Sequence, residues 1–558
     1  MIYDSLKRPP FSLNDTQVEE VRARVAAMSL SERAAQVFIL LLLGDEEQYF
    51  DLVRDLKPGG ITRFFGEDLD WEMTQMQSIF DALPTPPFVT ADLEGSRQSF
   101  AFGTQVPNQL ALSAGDDVAL TRDCAAIMAR EGQRLGVNWS FTPVIDINAA
   151  FRSAIVGSRS YGSDVERIER HALAHIEGLQ ANGFAATVKH WPGEGFDDRD
   201  QHLVTTENPL TREEWDQTFG RLYRSTFDAG VMAVMSAHIA WPNYIRSLNP
   251  DAGPEEAYRP ATISRALTTD LLRGELGFNG IVVSDATEMA GLGAWVSRAE
   301  APPMVLAAGC DVILFSMDPE RDIATVIRAV ETGTLSAQRL EEAVVRILAL
   351  KTKLGLFEGR GRPATGAALH DHLARPGDQA VADRAIANAP TLVKDVPGLL
   401  PISPERQRRV LVISNDIRHP LFDAPLHFDL PEMLRHEGFE VEVYDRTKTF
   451  EPNAFDLVLY LMGDESLFTR SHIFIDWRTM MQGLGNSLYR PWTEVPTIMI
   501  GFGHPYYLYD APRVPTYINA YSTMPEMQQA VVEALLGRQP FRGTSPVDAF
   551  CGQEIARI

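Results

Sequence analysis

The stretch Lys189-His190-Trp191-Pro192-Gly193-Glu194-Gly195-Phe196-Asp197-Asp198-Arg199-Asp200-Gln201-His202 follows an apolar run at 184–188. The run reads as a buried strand. The proline and the two glycines then stop regular structure, and the chain becomes a loop. The stretch carries four acids, two histidines, a lysine and an arginine. A strand that ends in a dense polar loop is the layout of an α/β active site. Taken alone, the same charges also fit a solvated surface loop.

The flanking sequence favours the first reading. Apolar runs at 37–43, 60–65, 88–91, 138–147, 184–190, 232–238, 281–285 and 312–315 read as strands. Between them lie segments with apolar residues at helical spacing, such as 118–135 and 165–182. Strand–helix alternation of this kind predicts a (β/α)8 TIM-type barrel. Polar residues gather just past the strand ends: Asp92 and Glu94, Asp146 and Asn148, the long loop, His238, and Asp285. In a barrel those ends share one face, and that face holds the chemistry.

A last helix at 337–354 ends in Gly355, and Gly359-Arg360-Gly361-Arg362-Pro363 opens a polar, Ala-rich stretch. The predicted organisation is a barrel over 1–357, a partly helical linker over 358–395 and a smaller α/β sandwich domain over 396–558. In the last part, 409–413, 456–462 and 495–502 read as buried strands. Gly501-Phe502-Gly503-His504-Pro505-Tyr506 lacks the glycine spacing of a dinucleotide site.

The chain has 558 residues, 45% of them hydrophobic, with a net charge of -24. That charge argues against a nucleic-acid or anionic-membrane partner. The N-terminus has no signal-peptide core, and the run at 37–43 is too short to span a bilayer. Cys124, Cys310 and Cys551 form neither a zinc spacing nor a disulfide framework. The expectation is a soluble, reduced, cytoplasmic protein.

Several residues carry chemistry that can be read two ways. Asp285 at a strand end is either a reactive carboxylate or a helix cap paired with Glu288. Asp200 and His202 can orient and charge an imidazole for acid–base work, or sit together by chance on the surface. Asp92, with Glu94 and Arg97 nearby, can bind sugar hydroxyls or form a plain ion pair. His190, His202 and Asp200 lack the fixed spacing of a metal site.

These motifs together resemble glycoside hydrolase family 3, and most closely its β-N-acetylglucosaminidase branch. The branch's Lys-His-Phe-Pro-Gly-His-Gly and Asp-Ser-His correspond to Lys189–Gly195 and Asp200-Gln201-His202. Asp92-Leu93-Glu94-Gly95-Ser96-Arg97, Phe141-Thr142-Pro143-Val144-Ile145-Asp146, Arg159-Ser160-Tyr161-Gly162 and Ser284-Asp285 match further family motifs in order. His504-Pro505-Tyr506 and Ala520-Tyr521-Ser522 match more weakly, in the second domain.

The resemblance implies a retaining enzyme with Asp285 as nucleophile, His202 as acid/base and Asp200 orienting it. It implies a terminal sugar held by Asp92, Arg159, Lys189, His190, Arg97 and Met235. A neutral imidazole, unlike a carboxylate, does not repel phosphate, so inorganic phosphate can serve as co-substrate in place of water. Arg199 is the candidate phosphate contact.

This sequence departs from the branch at Glu194 (a histidine there), at Ser96, at Phe100 and at Ala286. Those positions line or support the sugar subsite and shift the expectation toward a plain β-glucoside. Glu194 also stands as a rival acid/base, and N-acetylglucosaminide phosphorolysis, or hydrolysis by water as a β-N-acetylglucosaminidase or β-glucosidase, stands as the alternative to a β-glucoside phosphorylase. The resemblance implies no metal and no organic cofactor.

Overall fold

The computed structural model describes residues 2–44, 46–66, 68–418, 424–445, 447 and 451–558. Eight parallel strands form the first sheet: β1 (Phe38–Leu42), β2 (Gly60–Arg63), β3 (Phe88–Ala91), β4 (Trp139–Ser140), β5 (Thr187–Trp191), β6 (Ala233–Ser236), β7 (Ile281–Ala286) and β8 (Val312–Leu314). Their ladder order is β4-β3-β2-β1-β8-β7-β6-β5. The gap between β4 and β5 is closed by backbone bonds. The Ala185 N–H donates to the Asn138 carbonyl at 2.9 Å, the Ser140 N–H to Ala185 at 2.9 Å, and the Ile145 N–H to Lys189 at 3.0 Å. The sheet is therefore a barrel, as expected.

The predicted fourth strand is longer than the observed one. The ladder covers only Trp139–Ser140, because Pro143 has no N–H to donate and Val144 N–H turns to Gln109 Oε1 at 3.0 Å. Helix starts follow local chemistry. Ser29 and Glu32 close a capping box on the helix Leu30–Gln36. The long helices Val118–Arg134 and Val165–Gln180 pack on each other outside the barrel.

The second sheet has six strands: β9 (Thr391–Asp395), β10 (Arg409–Arg418), β11 (Glu440–Val443), β12 (Leu457–Asp464), β13 (Thr497–Gly501) and β14 (Thr516–Asn519). Their order is β9-β14-β13-β12-β10-β11, with only β9 antiparallel among the described strands. Alternate residues feed two cores. Val410, Val412, Leu457, Leu459 and Ile498 face one side; Leu411, Ile413, Val458, Tyr460 and Met499 face the other. Both faces are covered, which is why these strands read as continuous apolar runs.

The expected linker, 358–395, contains the helix Pro376–Asn388 and β9. That helix gives Ala382 and Ala385 to the barrel core and Ile386 to the second core. All three cysteines are free and buried. No helix of the described residues is long and apolar enough to cross a membrane.

Candidate active site

The loop after β5 owes its path to two glycines. Gly193 and Gly195 have φ of +127° and +116°, a region L-residues avoid. A Cβ on Gly193 would strike the Phe219 ring, and one on Gly195 the Ile147 carbonyl oxygen. The Gly195 carbonyl accepts the Ala149 and Ala150 N–H groups at 3.2 and 2.9 Å. So pinned, the loop returns over the barrel mouth with Asp200 and His202 on it.

Asp200 and His202 form a hydrogen-bonded pair. The His202 Nδ1–H donates to Asp200 Oδ1 at 2.7 Å, and the His202 backbone N–H donates to the same oxygen at 2.8 Å. This bond fixes the tautomer, leaving Nε2 as the reactive nitrogen. The Asp200 side chain is fully covered, while that of His202 stays 23% exposed.

Asp285 sits near the end of β7 and remains partly accessible. It caps no helix; the next helix is Ala290–Gly293, entered through Met289. Burial alone would raise the Asp285 carboxyl. Nearby His190, His238 and His202, with the Ala286 N–H donating to Oδ1 at 2.8 Å, outweigh burial and hold it below the usual carboxylate range. An ionised carboxylate among three imidazoles suits nucleophilic attack.

A second group of charges adjoins it. Glu94 takes Arg159 in a fork, Nε at 2.8 Å and Nη2 at 2.9 Å. Lys189 Nζ bridges Glu94 at 2.8 Å and Asp92 at 2.7 Å. Burial works against the charge on Glu94, but the two cations pull its carboxyl far below its ordinary value. Lys189 and Glu94 side chains are 2% exposed and Asp92 is 33% exposed. Asp92 is therefore the most accessible member of this network.

Beside it, Asp146 accepts the His190 backbone N–H at 3.0 Å and Nδ1–H at 2.6 Å, and the Glu194 N–H at 3.0 Å. Glu194 is buried and accepts from Gln201 Nε2 at 2.9 Å and Thr206 Oγ1 at 3.2 Å. Burial, then the charges of Asp146 and Asp200, push its carboxyl well above the ordinary range. Asp146, His190 and Glu194 offer ligand atoms within 4.8 Å of one another. In this structure Asp146 is bonded to His190 and to the Glu194 N–H, and the Glu194 oxygens to Gln201 and Thr206.

The remaining sequence candidates have the following surroundings. Met235 is buried in the barrel core on β6. Arg97 donates across the domain boundary to Thr523, Nε to Oγ1 at 3.1 Å and Nη2 to the carbonyl at 3.2 Å. Arg199 forms a double contact with Asp197, its Nε donating at 2.8 Å. Arg199 lines an open groove of about 530 Å³ with Phe151, Asp198 and Tyr509, and neither Asp285 nor the His202–Asp200 pair lines that groove.

Sequence reasoning missed the part played by the second domain. Phe468 stands edge-on to the His202 ring with centroids 4.9 Å apart, and the Thr469 N–H donates to Asp200 Oδ2 at 2.9 Å. The signal was available in principle: the loop 465–470 follows the C-terminal end of a parallel strand, where α/β proteins place ligands.

Comparison with known proteins agrees with this geometry. Residues 29–350 match the glycosyl hydrolase family 3 N-terminal domain. A β-N-acetylglucosaminidase/β-glucosidase of Cellulomonas fimi is 38% identical, over 98% of this chain and 99% of its own. The solved β-glucoside phosphorylase BglX is 31% identical with a TM-score of 0.91, covering 100% of both chains. A family 3 β-N-acetylglucosaminidase from Paenibacillus sp. str. FPU-7 is 25% identical with a TM-score of 0.79, over 94% of this chain and 100% of that one. The chain belongs to glycosyl hydrolase family 3 and is a glycosidase of that family.

Proposed function

We propose that this enzyme is a retaining, exo-acting β-glucoside phosphorylase. Asp285 attacks the anomeric carbon as the bond to the leaving oxygen breaks, and His202 Nε2–H delivers the proton that this oxygen needs. Asp92, Arg159, Lys189 and His190 hold the terminal sugar. Phosphate then attacks the glycosyl–Asp285 ester, His202 takes up a proton from a protonated phosphate, and a β-sugar 1-phosphate leaves with Asp285 restored. No metal or organic cofactor enters.

The observation that carries this reading is the acid/base itself. It is an imidazole held by Asp200, so the acid/base that meets an incoming dianion is not itself a carboxylate, and burial with the neighbouring acids works against a charge on Glu194. The full-length likeness to a protein titled β-glucoside phosphorylase supports it. Arg199 serves phosphate in this reading only when its pair with Asp197 opens.

The second reading, hydrolysis of β-glucosides or β-N-acetylglucosaminides by water, is favoured by the name of the Cellulomonas fimi relative. One experiment separates them. Aryl β-glucoside and aryl β-N-acetylglucosaminide are turned over with and without phosphate, and products are identified by NMR. Phosphate-dependent acceleration with a β-sugar 1-phosphate is the expected result. Free sugar at a phosphate-independent rate refutes phosphorolysis.

A further inference from the structure

The loop that follows β12 belongs to the second domain but is fastened to the barrel along its length. Glu465 accepts from Ser96 Oγ at 2.8 Å and Asn108 Nδ2 at 3.2 Å. The Ser466 N–H donates to Ser158 Oγ at 3.1 Å, and the Leu467 N–H to the Ala154 carbonyl at 2.8 Å. These bonds deliver the next two residues to the acid/base pair. The Phe468 ring meets the His202 imidazole at 65°, and the Arg159 guanidinium lies 5.3 Å from the same ring. The Thr469 N–H reaches Asp200 Oδ2.

Thr469 adopts φ +59°. A β-branched residue in the left-handed region is an outlier that costs energy and persists where the surroundings impose it. Here the imposed conformation aims the N–H at Asp200.

We propose that Phe468 and Thr469 are positioning residues for the acid/base dyad, so that a barrel loop and a second-domain loop together set the direction of His202 Nε2. Asp200 spends Oδ1 on the two His202 donors and Oδ2 on Thr469. The Thr469 bond thus fixes the rotation of the carboxylate, and the carboxylate fixes the imidazole. Phe468 blocks the ring from swinging away, its own place held by Leu467 and by the cation–π contact with Arg159. Neither residue touches the reacting atoms. The inference rests on His202 being the acid/base.

The test uses the full-length enzyme and a series of aryl β-glucosides whose leaving groups range from dinitrophenol to unactivated phenols. Leaving groups that need no proton do not need a well-aimed acid. Phe468→Ala is therefore expected to lose about 10- to 100-fold in kcat/KM on the poorest leaving groups, a part of the acid's usual contribution, and about 3-fold or less on the best. Its pH profile shifts as well, and Phe468→Tyr, which keeps the ring edge, restores most of the loss. A uniform loss across leaving groups with an unchanged pH profile overturns the proposal, as a merely structural role would give. His202→Ala run beside it separates the two claims. If His202→Ala shows the steep leaving-group dependence and Phe468→Ala does not, positioning alone is refuted; if His202→Ala shows none, the dyad assignment falls and takes this inference with it.

Discussion

Replacing Lys351 by methionine should stabilise the protein, and by an amount that depends on pH. Lys351 lies on the helix Ala337–Lys353 with no exposed surface. Its Nζ donates to Gln36 Oε1 at 2.9 Å and lies 5.0 Å from the Phe88 ring centroid. Burial, with no compensating carboxylate, pulls its pKa down from 10.5 to about 7. At ~1.36 kcal/mol per pH unit, keeping this amine out of water costs about 5 kcal/mol at or below pH 7. Methionine keeps the length and removes the charge, but leaves Gln36 Oε1 without its donor, which costs about 1–3 kcal/mol. The net gain is about 2–4 kcal/mol. With ~2.1 cal/mol/K of unfolding entropy per residue, a barrel of roughly 350 residues has ~0.7 kcal/mol/K, so Tm should rise by about 3–6 °C.

The sign with pH follows from the depressed pKa. Between pH 7 and 10.5 the unfolded chain holds a proton that the folded chain has released. This residue's contribution to wild-type stability therefore improves as pH rises through that window. Lys351→Met lacks that limb but keeps the Gln36 loss at every pH, so its advantage is greatest at pH 6.5, is close to zero by pH 9 and is reversed by about 1–3 kcal/mol near 10.5. Calorimetry or urea unfolding of both proteins at these pH values measures it. A gain that does not change with pH, or no gain at 6.5, refutes the reasoning.

Three further outcomes concern the site. Glu94→Gln leaves the Arg159 and Lys189 charges buried with Asp92 as their remaining carboxylate, so stability should fall by about 3–5 kcal/mol and KM for the sugar should rise, read by Tm and by initial rates. Glu194→Gln should change kcat by less than about 3-fold, because burial and neighbouring acids already work against a charge there and glutamine keeps the shape; a loss of 100-fold or more would instead make Glu194 an acid/base. Asp285→Ala should lose about 10⁴-fold or more in kcat, and added azide should restore turnover of an activated β-glucoside with an α-glycosyl azide as product, since the anion then attacks the face that Asp285 no longer occupies; a β-azide would contradict that role.

Much of this molecule was legible in its sequence, because barrel strands are apolar runs and their polar ends share a face. All eight strand assignments overlap the observed strands, and Asp92, Asp146, Lys189, His190 and Asp285 lie on or just past strands that periodicity locates. What was hidden depends on contacts across hundreds of residues. Nothing local marks Phe468 as a neighbour of His202, or sends Arg97 to Thr523 when Asp92 and Glu94 are close in sequence. The edge strand β9 was hidden for a different reason. It pairs antiparallel at the margin of the sheet, with Leu392 exposed, so its pattern resembles the polar stretch before it. The raised carboxyl of Glu194 was hidden too, since only the fold surrounds it with Asp146, Asp200 and Asp285.

The junction of β4 and β5 has a bearing on how this enzyme can diversify. Above the short strand, the barrel is held shut by Lys189 accepting the Ile145 N–H and by His190 gripping Asp146 through two bonds. The residues assigned to the sugar are thus also the clasp of the scaffold. The Lys189 bond is made by its backbone carbonyl and survives a side-chain change, but a substitution of His190 that alters sugar acceptance also removes its side-chain grip on Asp146, and selection must satisfy both demands at once. Asp92, whose one side-chain hydrogen bond among the described residues is to Lys189 Nζ, carries no such double duty. Changes in sugar preference should therefore accumulate around Asp92 and the loops beyond it, while the β4–β5 side stays fixed in both its ancestors and its engineered descendants.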